Sequence, residues 1–317
     1  MELVTKLLQG DEKSAARLIS MIEEGQPEGF RAISLIYPHV GKAHTIGITG
    51  SPGTGKSTLI GKLAASFTKD GKKIGIIAVD PTSSISGGAL LGDRVRMKEA
   101  DKIKGVFIRS MANRGYSGGI AKATVGPAYV LEGLGKDTIM IESVGVGQTE
   151  IQISSLCDTV VTVVTSDYGD EIQLMKAGLV EVGDIIVVNK ADKPGSEDTA
   201  CEISTHVGNR NRNNWNVPVV PVVSISGEGI QSLKDYLDAH FDFIREDLSG
   251  VQKKKERLRM MVLSLLKEDM WNYLMGKWEN NKQFEDILEL LQEGKIDPYT
   301  AVAKASGLIF NQKTSGK

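Results

Sequence analysis

Two cysteines, Cys157 and Cys201, are all that a chain of 317 residues carries. They stand far apart in sequence, which excludes a disulfide scaffold and points to a reducing compartment. Neither sign of charge prevails: 38 Lys and Arg face 40 Asp and Glu, for a net charge of −2. A basic footprint is therefore missing, and no nucleic-acid partner is expected. No uncharged apolar run reaches the ~18 residues of a membrane span, so no membrane association is expected either. Met1-Glu2-Leu3-Val4-Thr5-Lys6 lacks the basic start and apolar run of a secretion signal, which makes a cytoplasmic location the expectation. What remains, 41% hydrophobic and 25% charged residues, is the composition of an ordinary globular protein able to bury a substantial core.

The strongest signal present is Gly50-Ser51-Pro52-Gly53-Thr54-Gly55-Lys56-Ser57, which fits the phosphate-loop pattern G-x-x-x-x-G-K-[ST]. His44 to Thr49 before it reads as a buried strand. Thr58 onward reads as a helix with Leu59, Ile60 and Leu63 on its apolar face. A strand, a glycine turn and a helix start surround an anion with backbone N–H groups and the positive end of a helix dipole. In that frame Lys56 reaches the outer phosphates and the Ser57 hydroxyl ligates Mg²⁺. The expected cofactors are a nucleotide and Mg²⁺.

Residues 1–40 are predicted as a helical extension, with Leu3, Val4, Leu7 and Leu8 on one face and Leu18, Ile19 and Ile22 on another. From His44 the chain alternates strands and helices. The expected strands are 44–49, 73–79, 106–109, 138–141, 159–164, 185–188 and 219–223. Runs such as Ile185-Ile186-Val187-Val188 are apolar throughout, which suits strands covered on both faces. The fold class predicted is α/β: a P-loop NTPase with a mostly parallel sheet flanked by helices, over residues 41–245. Beyond it, 246–317 reads as helices only. Lys253 to Arg259 is a basic, solvated stretch at the start of a long helix. Asp297-Pro298 opens a final helix that should stop near Gly307.

Ligands of such sheets sit at the carboxyl ends of the strands, and the remaining motifs fall there. Asn189-Lys190-Ala191-Asp192 follows the strand 185–188. Its Asp192 carboxylate accepts from N1–H and the exocyclic amine of guanine, whereas adenine presents an acceptor at N1. The wrong base would leave a desolvated carboxylate unpaired, at a cost of roughly 2–4 kcal/mol. Asn189 is expected to tie this loop to the phosphate loop, and the Lys190 stem to cover the base. Asp80 and Glu142 end strands beside the phosphate loop and, with Asp93, are candidate Mg²⁺ carboxylates. Glu142-Ser143-Val144-Gly145-Val146-Gly147-Gln148 has the acid-x-x-Gly spacing at which the Gly145 N–H senses a γ-phosphate. Gln148 is a candidate for orienting the attacking water.

Taken together, Gly50 to Thr58, Val79 to Ser84, Gly87 to Met97, Glu142 to Glu150 and Asn189 to Asp192 make the chain resemble the MeaB/ArgK family of phosphate-loop GTPases. That family chaperones adenosylcobalamin-dependent acyl-CoA mutases. The resemblance implies Mg²⁺-dependent GTP hydrolysis to GDP, a mutase of the methylmalonyl-CoA type as partner, and a homodimer through the C-terminal helices. It implies that Ser57, Asp80, Asp93 and Glu142 surround Mg²⁺, with catalysis by Lys56, Glu142 and Gln148. It further implies that 109–119 is one switch and that Asp170 to Lys176 is another, responding to the mutase. Where the family reads Ser-Ala beside guanine O6, this chain has Ser224-Ile225. Two other functions stay open on the sequence: nickel delivery, for which no C-x-x-C is present, and an ATP-dependent kinase tied to amino-acid transport. Arg94, Arg96, Arg109 and Arg114 are candidates for a catalytic arginine.

Overall fold

Strand β1 (His44–Thr49) lies at the centre of the sheet, as its continuous burial requires. The computed structural model describes residues 2–81, 103–113, 120–143, 153, 155–166, 182–207, 211–212, 215–246, 248–279 and 281–310. Among them, seven strands run in the order β3-β2-β4-β1-β5-β6-β9, every neighbouring pair parallel. These are β2 (Ile74–Pro81), β3 (Val106–Asn113), β4 (Thr138–Glu142), β5 (Thr159–Val164), β6 (Ile185–Asn189) and β9 (Val219–Val222). A two-stranded ribbon, β7 (Asn211–Arg212) and β8 (Trp215–Asn216), stands apart. The chain passes from β1 to β2 on one side and returns to β5 on the other, so a crevice forms at the carboxyl end of β1.

Helices cover both faces. On one, α4 (Lys56–Lys69) and α7 (Ile230–Glu246) pack Leu59, Leu63, Phe67, Leu233 and Leu237 against Ile46, Ile48 and Val161. On the other, α1 (Glu2–Leu8), α2 (Glu12–Glu23), α3 (Pro27–Ile36) and α5 (Ile120–Gly133) pack on Ile77, Ile139 and Ile141. Each fully buried Leu or Ile in these layers stabilises the fold by roughly 1.5–3 kcal/mol. Helix α2 starts where Asp11 accepts the Ser14 N–H at 2.9 Å, and Ala15, Leu18, Ile19 and Ile22 then recur on one buried face. That face meets α5 closely because Gly126 has no side chain; a Cβ there would lie 2.9 Å from Ile22 Cγ2. Helix α6 (Ser196–Val207) flanks β6 and β9.

Several boundaries differ from the sequence reading. Strand β3 continues past Arg109 to Asn113, since it pairs residue for residue with β2 from Ile74↔Val106 to Pro81↔Asn113. The first part of the expected 109–119 switch is therefore strand; 114–119 lies outside the described residues. The basic stretch opens later than its helix: α8 runs Leu248–Trp278, and Arg257 pairs with the Asp158 carboxylate instead of being solvated. The last helix, α10 (Pro298–Phe310), runs through Gly307, where the roughly 1 kcal/mol helix penalty of glycine is tolerated.

The chain divides into two compact units, 1–264 and 265–317. In the second, α9 (Lys282–Gln292), capped by Asn281, and α10, capped by Asp297, enclose Ile287, Ala301 and Ala305. Trp278 stacks on Phe284 at 5.1 Å between ring centroids. Among the described residues no helix is long and apolar enough to cross a membrane.

The amino ends of the strands hold a buried polar relay. His44 Nε2 lies 2.7 Å from Thr159 Oγ1, and the same oxygen lies 2.8 Å from His240 Nδ1. A hydroxyl has one proton, so one imidazole must donate to it and the other accept. His240 Nε2 lies 3.7 Å from Asp184 Oδ1, which favours Nε2–H on His240 and hence a donating Nε2–H on His44. Burial holds the His44 imidazole neutral, with its pKa lowered to about 3.

Candidate functional site

The phosphate loop is wedged between two strands. Gly50, directly after β1, has φ +142°, and a Cβ on it would lie 2.1 Å from the Val163 carbonyl oxygen of β5. Gly55 has φ +90°, and its Cβ would lie 2.4 Å from Asn189 Nδ2. Only glycine satisfies both conditions. Helix α4 starts at Lys56 with no side-chain cap, so its first N–H groups stay directed into the loop. Thr54 closes the turn by donating its hydroxyl to Ser51 O at 2.9 Å. The buried Lys56 ammonium crosses the loop to Gly50 O at 2.7 Å and Ser51 O at 3.0 Å. Pro52, Gly53 and Thr58 are exposed at the mouth.

Beside the loop, Ser57 donates its hydroxyl to Glu142 Oε1 at 2.8 Å, with both side chains buried. Glu142 is held there because β4 pairs with β1 and β2, bringing Glu142 opposite Ile48 and Ala78. The next residue adds a brace that sequence patterning did not reveal: Ser143 donates its hydroxyl to Thr49 Oγ1 at 2.9 Å, and its N–H to Ile48 O at 3.0 Å. A hydroxyl and a carboxylate at this separation form an all-oxygen pair of hard donors, the kind Mg²⁺ takes. Asp80 ends β2 at the same edge of the sheet. Its side chain, and all of Asp93, Gly145 and Gln148, lie outside the described residues, as does 170–176.

Asn189 closes the constellation. Its Nδ2 donates to Thr54 O at 2.6 Å, while its Oδ1 accepts from Ser224 N at 3.2 Å and Ser224 Oγ at 2.7 Å. The opposite amide orientation would face oxygen with oxygen and N–H with N–H, so the assignment is fixed by its partners. Lys190 follows in the left-handed region at φ +57°, which turns the chain sharply. Ala191 N–H then bonds Val222 O at 3.1 Å, Ser196 Oγ bonds Ala191 O at 2.7 Å, and Asp192 is exposed at the rim. Both donors of Ser224 are spent on Asn189. The donors of this loop left open to a ligand are therefore the N–H groups that follow, beginning with that of the exposed Ile225.

Arg109 is not brought to this group. Its Nη2 donates to Glu23 Oε2 at 2.5 Å and Ser20 Oγ at 3.0 Å, fastening β3 to α2. Arg94, Arg96 and Arg114 lie outside the described residues. Among the described residues no group of three or more His, Cys, Asp or Glu side chains is placed to hold a metal.

Known proteins match this arrangement. A model of the family described as methylmalonyl Co-A mutase-associated GTPase MeaB matches residues 15–279. A Pyrococcus abyssi protein, provisionally named a GTPase, is 42% identical over 307 residues, covering 95% of this chain and 94% of its own. The methylmalonic aciduria type A homolog of Caenorhabditis elegans is 30% identical over 325 residues, covering 94% of this chain and 79% of its own. GTPase ArgK of Escherichia coli is 28% identical over 323 residues, covering 98% and 97%. In three dimensions, the crystal structure of an LAO/AO transport system kinase covers 97% of this chain and 96% of its own at a TM-score of 0.73 and 20% identity, a likeness of fold. A parallel sheet with a phosphate loop after β1, a serine–glutamate pair at its flank and an N-K-x-D loop after β6 thus coincide with the family match. The chain belongs to the MeaB family of phosphate-loop GTPases.

Proposed function

We propose that the protein binds GTP and GDP with Mg²⁺, hydrolyses GTP, and uses the two states to chaperone an adenosylcobalamin-dependent acyl-CoA mutase of the methylmalonyl-CoA type. The observation that carries the nucleotide reading is the Asn189 amide, which joins the phosphate loop to the base-reading loop in one hydrogen-bonded unit. In this reading the N–H groups of 50–58 cradle the phosphates, and the Lys56 ammonium exchanges loop carbonyls for phosphate oxygens. Ser57 and Glu142 would hold Mg²⁺, with Asp80 and Asp93 as further carboxylates. The metal supplies charge neutralisation at the β- and γ-phosphates. Asp192 selects guanine, Gly145 senses the γ-phosphate and Gln148 orients the water. With Arg109 committed to Glu23, a slow intrinsic rate is expected, which leaves room for a partner to accelerate it.

The partner reading is supported by the family's printed description and the C. elegans relative. A homodimer in the cytoplasm completes the proposal; helix α8 exposes Leu266, Met270, Trp271 and Met275, the kind of apolar surface a second copy covers. Asp192→Asn should lose GTP and gain xanthosine triphosphate, because the donor–acceptor pattern at the base edge is reversed. Unchanged GTP binding would remove the guanine assignment. The mutase is tested by GTP turnover with and without it; Gln173→Ala with Lys176→Ala should abolish the increase and spare the basal rate. No stimulation by any adenosylcobalamin-dependent mutase of the same organism would sink the chaperone role.

A further inference from the structure

Away from the phosphate loop, a cavity of about 710 Å³ opens in the first compact unit, beside α5, α7 and the first turns of α8. That is the size at which pockets enclose small molecules, roughly 300–1,000 Å³. Its accessible apolar wall is made by Val40, Ala128, Leu156 and Val182, with Ile139 and Ile141 of β4 buried behind them. Cys157 adds no reactivity there, since burial pushes its thiol pKa well above the ordinary range.

The charges around the cavity are unevenly spent. Glu132 Oε1 accepts the N–H groups of Gly41, Lys42 and Ala43 at 2.5, 2.5 and 2.8 Å. Asp158 is buried, which alone would raise its pKa. The Arg257 guanidinium and the Thr45 N–H and hydroxyl outweigh that, and the net shift is downward. Asp184 Oδ2 accepts the Val160 N–H at 2.9 Å, and Glu256 lies 3.8 Å from Arg259. The cations Lys42, Arg245 and Lys254 also line the cavity and have no carboxylate partner among the described residues. Arg245 lies only over the Phe241 ring, at 5.2 Å. The cavity thus joins an apolar wall to an exposed positive rim. The nest of N–H groups at Gly41, Lys42 and Ala43 is filled by Glu132.

We propose that this cavity is a second binding site, for a hydrophobic carboxylic acid whose chain lies on Ala128, Leu156 and Val182 and whose carboxylate is met by Lys42, Arg245 and Lys254, and that its occupancy is linked to the nucleotide site. The link follows from connectivity. β1 carries the chain from Thr45 in the cavity wall to Gly50 just beyond its end, about 17 Å at ~3.3 Å per residue. A ligand that shifts this strand changes nucleotide affinity, and nucleotide changes the ligand's affinity by the same factor.

The test is calorimetric titration of the full chain with decanoate, decanol as the neutral control, and a displacement assay with a fluorescent GDP. Saturable decanoate binding is expected, at least tenfold tighter than decanol. It should weaken tenfold or more in Arg245→Glu/Lys254→Glu, whose exposed side chains can change without disturbing the core, and in Ala128→Phe, which fills the cavity. Saturating decanoate should shift the GDP dissociation constant at least threefold. Equal decanoate affinity in wild type and the Arg245/Lys254 variant would overturn the site, and an unmoved GDP constant would overturn the linkage. Calorimetry reads the cavity without nucleotide, so failure of the GTPase reading would be seen separately.

Discussion

The two ends of one sheet solve opposite problems. At the carboxyl ends, backbone does the work: glycines at positive φ, N–H groups at the start of α4, and one amide that ties two loops. At the amino ends, side chains do it, through the His44–Thr159–His240 relay and the Arg257–Asp158 pair. A backbone site must present its polar groups to a ligand, which makes it rigid in conformation yet dependent on what binds. A side-chain network satisfies itself, and its reward is stability. The nucleotide end should therefore respond to substitution mainly in affinity, and the far end mainly in unfolding free energy.

Asn189→Ala should sharpen this most, because Asn189 belongs to both categories. Removing it leaves Thr54 O and the two Ser224 donors without their partner, for a loss of about 2–4 kcal/mol. We expect that loss divided between urea unfolding and GDP affinity; an effect on unfolding alone would make Asn189 a plain core residue. Lys56→Ala is the affinity extreme. Its ammonium should contribute about 1.5–3 kcal/mol to a bound triphosphate, roughly 10- to 150-fold in the dissociation constant, more than the unfolding cost of freeing the Gly50 and Ser51 carbonyls. Titration with a fluorescent GTP analogue measures it, and a fall in melting temperature of equal weight would break the division.

At the far end, Thr159→Val keeps the shape and removes the relay's centre. It should cost about 2 kcal/mol in urea unfolding, by stranding two buried imidazole nitrogens, and leave GDP affinity within threefold. A larger shift in GDP affinity would mean that the relay itself, and not only a ligand in the cavity beside it, is coupled to the nucleotide end. Smallest is a slope. His44 binds a proton near pH 6.5 when unfolded and near pH 3 when folded, so its contribution is complete above pH 6.5 and is lost as pH falls toward 3. That amounts to about 1.4 kcal/mol per pH unit within the window. The groups felt by His44 are Asp158, His240, Asp238 and Lys72. Denaturant melts of wild type and His44→Leu at pH 7, 6 and 5 should separate steadily; parallel curves would make another group responsible.

The same division explains what the sequence made legible. Glycine, lysine and serine at fixed spacing betray a backbone cradle, because few other residues tolerate those dihedrals and approaches. The apolar runs likewise made all seven strands readable, since burial on both faces leaves continuous hydrophobic letters. His44, Thr159, Asp184 and His240 carry no such spacing; they come from β1, β5, the turn before β6 and α7, and only the register of those strands and the packing of α7 on them bring the four together. Ser143, one residue past a motif glutamate, braced β1 unseen for the same reason. Arg109 read as a possible catalytic cation because its partner, Glu23, lies in a helix far earlier in the chain. Ser224 read as a base contact, whereas its donors serve Asn189.

Of the two thiols, Cys157 is buried and Cys201 is exposed on α6, the helix that follows the N-K-x-D loop. A maleimide fluorophore should therefore modify the native protein at one position only, without any engineered change. The label would stand on the element that carries Ser196, whose hydroxyl holds Ala191 beside Asp192. On the proposed reading of that loop, Cys201 is a built-in attachment point for a reporter of base binding, whose emission would follow nucleotide exchange in real time while every residue of the site stays wild type.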